Sequence, residues 1–247
     1  MKIAYFRFYE ELNDFLPKEK SKLRIEHNFR DRTSVKDMIE SLGVPHSEID
    51  LILANGKSVD FSYLVNDKDE ISVYPVFESF DISDIQHLRS QPLREPKFIV
   101  AVHLGKLASY LRILGFDTLY KNNFSDNNLV KTSLDEKRTI LTKDREILKR
   151  NDITHGYWIR NHNLEEQLKE VIARFDLKNQ IKEFTRCVDC NKLLIKVIKE
   201  DIIDLLPPKV KGWHDEFYFC PACKKAYWKG SHYDKMKAFI ENIVSVI

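Results

Sequence analysis

All four cysteines of the chain fall in two closely spaced pairs, Cys187-x-x-Cys190 and Cys220-x-x-Cys223, with 29 residues between them. A C-x-x-C knuckle turns both thiolates, and often the amides between them, toward one ion, so two knuckles supply a closed tetrahedral S4 site. The spacing is that of a zinc ribbon, with Cys187, Cys190, Cys220 and Cys223 as the ligands of a Zn²⁺. A closed site leaves no open position for substrate, so that metal would be structural. Two disulfides or a thioredoxin-like redox pair are the competing readings. Disulfides need an oxidising compartment. The chain opens with Met1-Lys2-Ile3-Ala4-Tyr5, which lacks the apolar core of a signal peptide, and a cytoplasmic location is expected.

At 247 residues there is enough chain for two or three small domains. A hydrophobic share of 43% beside 32% charged residues suits a chain that buries real cores. No apolar run approaches the roughly 18 residues of a bilayer span, so no membrane partner is expected. The net charge of +2 conceals a gradient. Lys plus Arg against Asp plus Glu is 11 against 15 over residues 1–80, 16 against 14 over 81–177 and 13 against 9 over 178–247. A polyanion would be held toward the C-terminal end.

The first 77 residues mix strand and helix signals. Ile3 to Phe8 alternates as a half-buried strand, and Leu23 to His27 reads as its antiparallel partner. Thr33 or Ser34 caps a helix through Val35, Met38, Ile39 and Leu42 that stops at Gly43. Ile52-Leu53-Ala54 leads into an Asn55-Gly56 turn, and Asp69 to Pro75 forms a last strand. Two strands, a helix and further strands is the order of a β-grasp (α+β) domain over 1–77. Residues 78–95, with Ser, acids and Pro92, read as a linker. Phe98-Ile99-Val100 is then an uninterrupted apolar run, typical of a strand covered on both faces. From there strand and helix alternate: a helix from His103 to Leu114, a strand Phe116–Tyr120, a helix Asp126–Glu136, a strand Thr139–Leu141, a helix Asp144–Lys149, a strand Tyr157–Ile159 and a helix Leu164–Phe175. The pattern is α/β, a mainly parallel sheet with helices on both faces in three layers over 96–182, and the zinc ribbon with a C-terminal helix fills 183–247.

In open parallel sheets the active site lies at the carboxyl ends of the strands, and acids collect there. Leu141-Thr142-Lys143-Asp144 ends a strand in an acid with Glu146 two residues on, and Asp126 begins a helix. Asp117 sits within a strand. Carboxylates meeting in one crevice repel one another unless a hard cation, Mg²⁺ or Mn²⁺, joins them. Such a cluster can activate water for in-line hydrolysis of a phosphodiester. Each acid also has a plainer reading: Asp126 and Asp144 as helix N-caps, Glu146 as solvated surface, Asp117 as a polar strand end. His103, Lys106 and Tyr110 share the polar side of one helix and either meet phosphate or face water. Arg112 is a further phosphate candidate. No Gly-rich phosphate loop or G-x-S-x-G elbow is present.

Two resemblances sharpen these readings. Phe6-Arg7-Phe8, Gly43-Val44-Pro45, Asn55-Gly56 and Ile71-Ser72-Val73-Tyr74-Pro75 resemble the ubiquitin-like family that includes the sulfur carriers of thiamine and molybdopterin synthesis. Those carriers end in Gly-Gly, whereas here the chain runs on into Val76-Phe77-Glu78-Ser79. Carrier chemistry is therefore not expected, and the domain binds a partner, positions something or serves as an appendage. Phe98-Ile99-Val100, His103 to Ala108, Leu111 to Asp117 and Leu141 to Glu146 resemble the RNase domain named after the C-terminal region of the Mut-seven exonuclease. Phe217-Tyr218-x-Cys220-Pro221-x-Cys223 and Tyr227 to His232 resemble its ribbon. The resemblance covers roughly residues 97–236 and implies a PIN-like fold, a metal-dependent ribonuclease and a ubiquitin-like companion in front.

The chain departs from that family at one place. There the first sheet strand ends in a metal-binding aspartate, and here that place holds Ala101. The expected catalytic set is thus position 101 with Asp126, Asp144 and Glu146, one acid short. Either the chain is a natural member that binds RNA without cutting it, or it was altered to trap a substrate; the three intact acids favour the second. The substrate expected is RNA, with tRNA or another structured RNA among the candidates, and a non-catalytic RNA-binding or ribosome-associated adaptor is the alternative. In the ribbon Lys224, Lys225 and Lys229 with His232 could grip phosphates, while aromatic residues such as Trp213 and Trp228 either stack bases or pack round the metal. With His103, Lys106 and Arg112 they make the expected RNA surface.

Overall fold

In the computed structural model, which describes residues 1–75, 96–212 and 214–246, strand β1 (Lys2–Phe8) buries Ala4, Phe6 and Phe8 on one face, the two-residue period of a strand with one covered side. Strand β2 (Ile25–Phe29) lies antiparallel to it, Phe6 opposite Ile25. Helix α1 (Val35–Ser41) is capped by Ser34, whose Oγ accepts the Asp37 N–H at 3.1 Å. Strands β3 (Ile49–Ala54) and β4 (Lys57–Val59) form a hairpin. Its turn residues Asn55 and Gly56 both have positive φ, 52° and 78°, as a type I′ turn demands. Strand β5 (Glu70–Pro75) runs parallel to β1 and antiparallel to β3. The sheet order β2-β1-β5-β3-β4, with α1 burying Met38 and Ile39 among Phe6, Phe8, Ile52, Ile71 and Val73, is the β-grasp arrangement. The expected linker 78–95, the run Val76-Phe77-Glu78-Ser79 and Trp213 lie outside the described residues.

The chain divides into two units, one of Met1–Glu95 with Thr142–Trp158 and the other of Pro96–Leu141 with Ile159–Ile247. In the second, β6 (Lys97–Val100), α2 (Gly105–Ile113), β7 (Asp117–Leu119), α3 (Asp126–Glu136) and β8 (Thr139–Thr142) alternate. β6 pairs in parallel with β7, Lys97 opposite Asp117, and with β8, Val100 opposite Leu141. Phe98, Ile99 and Val100 are all buried, because the strand is covered on both faces. One crossover leads from β6 out to β7 and the next back past β6 to β8, so right-handed connections set α2 and α3 on opposite faces. This gives the layered α/β arrangement with a parallel sheet. The helix expected from His103 begins later: Val102–Leu104 is a 3-10 turn, and α2 starts at Gly105, where the Tyr120 ring leaves no room for a Cβ.

The segment Thr142–Trp158, which goes with the first unit, holds α4 (Arg145–Leu148) and β9 (Gly156–Trp158). Back in the second unit, α5 (Leu164–Arg174) is capped by Asn163, whose side chain accepts the Glu165 N–H, and packs on α2. Strands β10 (Ile195–Val197), β11 (Phe217–Cys220) and β12 (Lys225–Trp228) form an antiparallel three-stranded ribbon. Its apolar core is small: Ile202, Leu206 and Phe217, with Trp228 packed against them. Between β10 and β11 lies the single turn α6 (Pro208–Lys211). Helix α7 (Ser231–Val246) follows, placing Phe239 edge-on to Tyr110 of α2. Among the described residues no helix is long and apolar enough to cross a membrane.

Gly115 ends α2 with φ 95°, and Lys182 closes over it, its N–H donating to Leu114 O at 2.9 Å. A Cβ at 115 would lie 2.3 Å from the Lys182 carbonyl oxygen. Gly115→Ala is expected to lose ~2 kcal/mol or more of stability in urea unfolding. Gly212→Ala, where a Cβ meets nothing within 4 Å, should change it by less than ~0.5 kcal/mol.

Candidate functional site

Each cysteine knuckle closes on a residue in the left-handed region. Asn191 (φ 71°) follows Cys190 and donates its N–H to Cys187 O at 2.9 Å; Lys224 (φ 56°) follows Cys223 and donates to Cys220 O at 2.9 Å. Asn tolerates this conformation, whereas a Lys there costs about 1 kcal/mol. The four Sγ atoms lie within 4.8 Å of one another, with Cys187 and Cys223 at 3.8 Å and Cys190 and Cys220 at 3.4 Å. A tetrahedral ion with metal–sulfur bonds of about 2.3 Å needs sulfurs roughly 3.8 Å apart. The quartet therefore fits, and could bind, a metal such as zinc. The Tyr227 hydroxyl sits 3.0 Å from Cys187 Sγ. Burial pushes the Cys187 thiol up, but that hydroxyl and the Cys190 and Asp189 backbone groups outweigh it and bring it down to about 7. Cys223 is driven up, first by its contact with Cys190 and then by burial. Negative charge thus gathers at one sulfur and resists the next, which a bound dication relieves.

Arg112 ties this centre to the sheet. It is 3% exposed, and its guanidinium donates to Thr118 O at 2.8 Å, Val188 O at 2.7 Å and Asp189 O at 2.9 Å. Burial draws its pKa down against the pull of Cys187 and Cys190. Asn191 adds a second tie: its Oδ1 accepts the Thr118 N–H at 3.0 Å and its Nδ2 donates to Asp117 Oδ1 at 2.7 Å. Arg186 donates to Gly115 O and Asn191 O at 2.9 and 3.0 Å. The expectation that Arg112 meets RNA is corrected here, because the side chain is buried and its Nε and Nη1 donate to backbone carbonyls inside the protein. Asp117 stands at the amino end of β7 and accepts from Arg138 at 2.6 Å. Burial raises its carboxyl, but Arg138 first and Asn191 next outweigh that and hold it below the usual range, so it is a structural acid.

Ala101 follows β6, is 7% exposed and donates its N–H to Leu141 O at 3.0 Å. This is the carboxyl end of the strand. The Tyr120 hydroxyl donates to Val102 O at 2.9 Å, binding the exits of β6 and β7 together. Asp126 is exposed at the start of α3. It is not the N-cap, a role Ser125 fills by accepting the Asn128 N–H at 3.3 Å. Asp144 is exposed and does cap α4, its Oδ1 accepting the Glu146 N–H at 2.8 Å. Glu146 accepts from Lys149 at 2.8 Å. Position 101 and Asp126 belong to the second unit, Asp144 and Glu146 to the segment grouped with the first. Among the described residues the cysteine quartet is the one group of three or more ligands gathered to metal-binding distance.

His103 is exposed on the 3-10 turn and Lys106 in the first turn of α2, so they do not share one continuous helix face, and Tyr110 is taken by Phe239. Lys224 and His232 are exposed. Lys225 pairs with Asp189 and Lys229 with Glu216, at 2.5 Å for the latter. Sequence reasoning missed Asn191 and Arg186, whereas Tyr227, expected to pack round the metal site, does lie against Cys187. An Asn directly after a C-x-x-C pair, where a left-handed residue is needed, is the signal that pointed to the first.

Two outcomes follow for the metal centre and its anchor. Arg112→Met should lose about 3 kcal/mol of stability, since carbonyls are left without a charged donor, and broaden the thiolate-to-Co²⁺ absorption of the cobalt-loaded chain; parent-like unfolding would refute the anchoring. Asp117 has a depressed folded pKa, so its contribution is present above its unfolded value of about 3.9 and lost as pH falls through the lower folded value. Asp117→Asn should therefore flatten stability against pH in the acid limb, below about pH 5.

Residues 96–240 match the family model described as the Mut7-C RNAse domain, and residues 1–81 that described as Mut7-C ubiquitin. Among solved structures, small archaeal modifier protein 1 of H. volcanii is similar over 31% of this chain and 100% of its own, at 14% identity and a TM-score of 0.26. No curated protein matches.

Proposed function

Since the chain belongs to the Mut7-C RNAse domain family, we propose that it is a metal-dependent ribonuclease of the cytoplasm that acts on RNA phosphodiesters and is impaired by the alanine at position 101. The observation that carries this reading is the place of Ala101: it leaves β6 at the carboxyl edge of a parallel sheet, where such folds put their chemistry. Asp126, Asp144 and Glu146 are carboxylates, and oxygen donors of this kind suit a hard dication such as Mg²⁺ or Mn²⁺. When bound, that cation would activate water and offset charge on the phosphodiester. Asp126, not committed as a cap, is available to hold it. Asp144 would help hold it through the oxygen that does not accept the Glu146 N–H. The methyl group of Ala101 offers no oxygen, so the set is one ligand short. The cysteine quartet would hold zinc as a brace for the ribbon.

RNA grip would come from His103, Lys106, Lys224 and His232 at exposed positions. Lys225 and Lys229 contribute less, because Asp189 and Glu216 already pair with them. tRNA or another structured RNA is the substrate class proposed. A second reading, an RNA-binding adaptor without catalysis, is favoured by Ala101 alone and by the same basic positions. It requires zinc and no second metal.

Ala101→Asp should raise Mn²⁺-dependent cleavage of single-stranded or structured RNA at least ~100-fold, the upper range for restoring lost support of a metal site. Cleavage no greater than that of the parent chain would leave the adaptor reading standing. Lys224→Glu should weaken RNA binding and reduce the slope of log K against log salt by about 0.7 to 0.9, the value for one phosphate contact.

A further inference from the structure

The β-grasp unit grips the acid-bearing segment of the RNAse match at three consecutive side chains. His46, Ser47 and Glu48 form a 3-10 turn between α1 and β3 and are 6%, 1% and 1% exposed. Polar side chains buried so deeply need partners, and the partners lie about a hundred residues away. Ser47 Oγ donates to Leu148 O at 3.0 Å, His46 Nε2 donates to Ile153 O at 2.8 Å, and Glu48 Oε1 accepts the Trp158 N–H at 2.5 Å. The other nitrogen of His46 faces Glu40 Oε1 at 2.6 Å, which fixes the ring.

Further contacts run along the same stretch. Lys36 donates to Asn151 Oδ1 at 2.8 Å. The Trp158 ring lies 5.1 Å from that of Phe15, and the Arg145 guanidinium stacks 3.7 Å from the Trp158 ring. Gly156 lets Leu148 and Ser47 close in: a Cβ there would meet Leu148 Cδ2 at 2.4 Å and Ser47 Oγ at 3.3 Å.

Asp144 and Glu146 sit at the front of α4, which has four residues. A single turn cannot hold itself in water, since nucleation costs more than one turn returns. Its geometry must come from outside, and the Leu148 carbonyl at its end is held by Ser47. We propose that the ubiquitin-like unit is a built-in scaffold for this turn, with His46, Ser47 and Glu48 as positioning residues for Asp144 and Glu146. Their importance to cleavage rests on the function proposed above; the scaffold itself does not. A consequence is that this face of the unit is occupied by its own chain, so a protein partner would have to use another.

The test uses the full chain carrying Ala101→Asp, alone and with His46→Ala plus Ser47→Ala. Amide hydrogen exchange at Glu146, Ile147, Leu148 and Trp158 should quicken at least ~10-fold in the triple variant, against little change at Asn191 in the ribbon. The Mn²⁺ concentration for half-maximal RNA cleavage should rise ~10 to 100-fold, the range for losing support of a metal ligand, with kcat at saturating Mn²⁺ changed less. His46→Gln in place of His46→Ala, with Ser47 retained, keeps an amide N–H near the Nε2 position and should restore both readouts. Unchanged exchange at 146–148 overturns the scaffold, whether or not the chain cleaves RNA. Quickened exchange with unchanged Mn²⁺ dependence overturns the positioning role and leaves the turn merely packed. Absence of cleavage in Ala101→Asp overturns the nuclease reading, while exchange still decides the scaffold. If the double substitution unfolds the chain, Ser47→Ala alone removes one hydrogen bond and is read the same way.

Discussion

Four cysteine sulfurs drawn within 4.8 Å of one another could bind a metal such as zinc, and at a site of that kind metal binding and folding are coupled. The ribbon has little else to rest on. Its apolar core is Ile202, Leu206 and Phe217, too small to offset the chain entropy of three strands. The knuckle in turn orders the sheet beside it. Arg112 reaches Val188 and Asp189 from α2, and Asn191 completes the hydrogen bonding of Thr118 at the β7 edge. Loss of a metal bound at the quartet would therefore loosen β7 as well as the ribbon.

This dependence gives the two ends of the parallel sheet different characters. At the amino end Asp117 accepts hydrogen bonds from Arg138 and Asn191 and pairs with Arg186 at 3.9 Å, and a carboxylate so fully partnered has little capacity left for a ligand. At the carboxyl end Ala101 leaves β6, Asp126 begins α3, and the Tyr120 hydroxyl bridges the exits of β6 and β7. Paired polar groups are concentrated at one edge of the sheet, while the other carries an exposed carboxylate in Asp126.

Much of this was legible because it depends on neighbours in sequence. The period-two burial of Ala4, Phe6 and Phe8, the Asn55-Gly56 turn, the continuous run Phe98-Ile99-Val100 and the span of α3 all follow from local rules, and so does the cysteine quartet. The illegible part is where long polar side chains end. Arg112 sits in α2 between buried Leu111 and Ile113, and nothing nearby says that its guanidinium finds carbonyls 76 and 77 residues away. The same limit applies to the ribbon lysines. A count of 13 basic against 9 acidic residues suggests free positive charge, yet Asp189 and Glu216 take up part of it.

The segment Thr142–Trp158 shows the limit most clearly. By pattern it is one more helix and strand in an alternating series, and the family match runs straight through it. The helix and the strand are there, as α4 and β9, but the pattern does not say where their backbone groups find partners. Leu148 O, Ile153 O and Trp158 N need partners once buried, and they find them on the 3-10 turn of the β-grasp unit. Leaving any one unmet would cost about 1 to 3 kcal/mol, a large fraction of the roughly 5 to 15 kcal/mol that stabilises a folded unit. A front domain without a Gly-Gly end thus has a physical reason to be present: it supplies the hydrogen bonds that a four-residue helix carrying two of the expected acids cannot supply for itself.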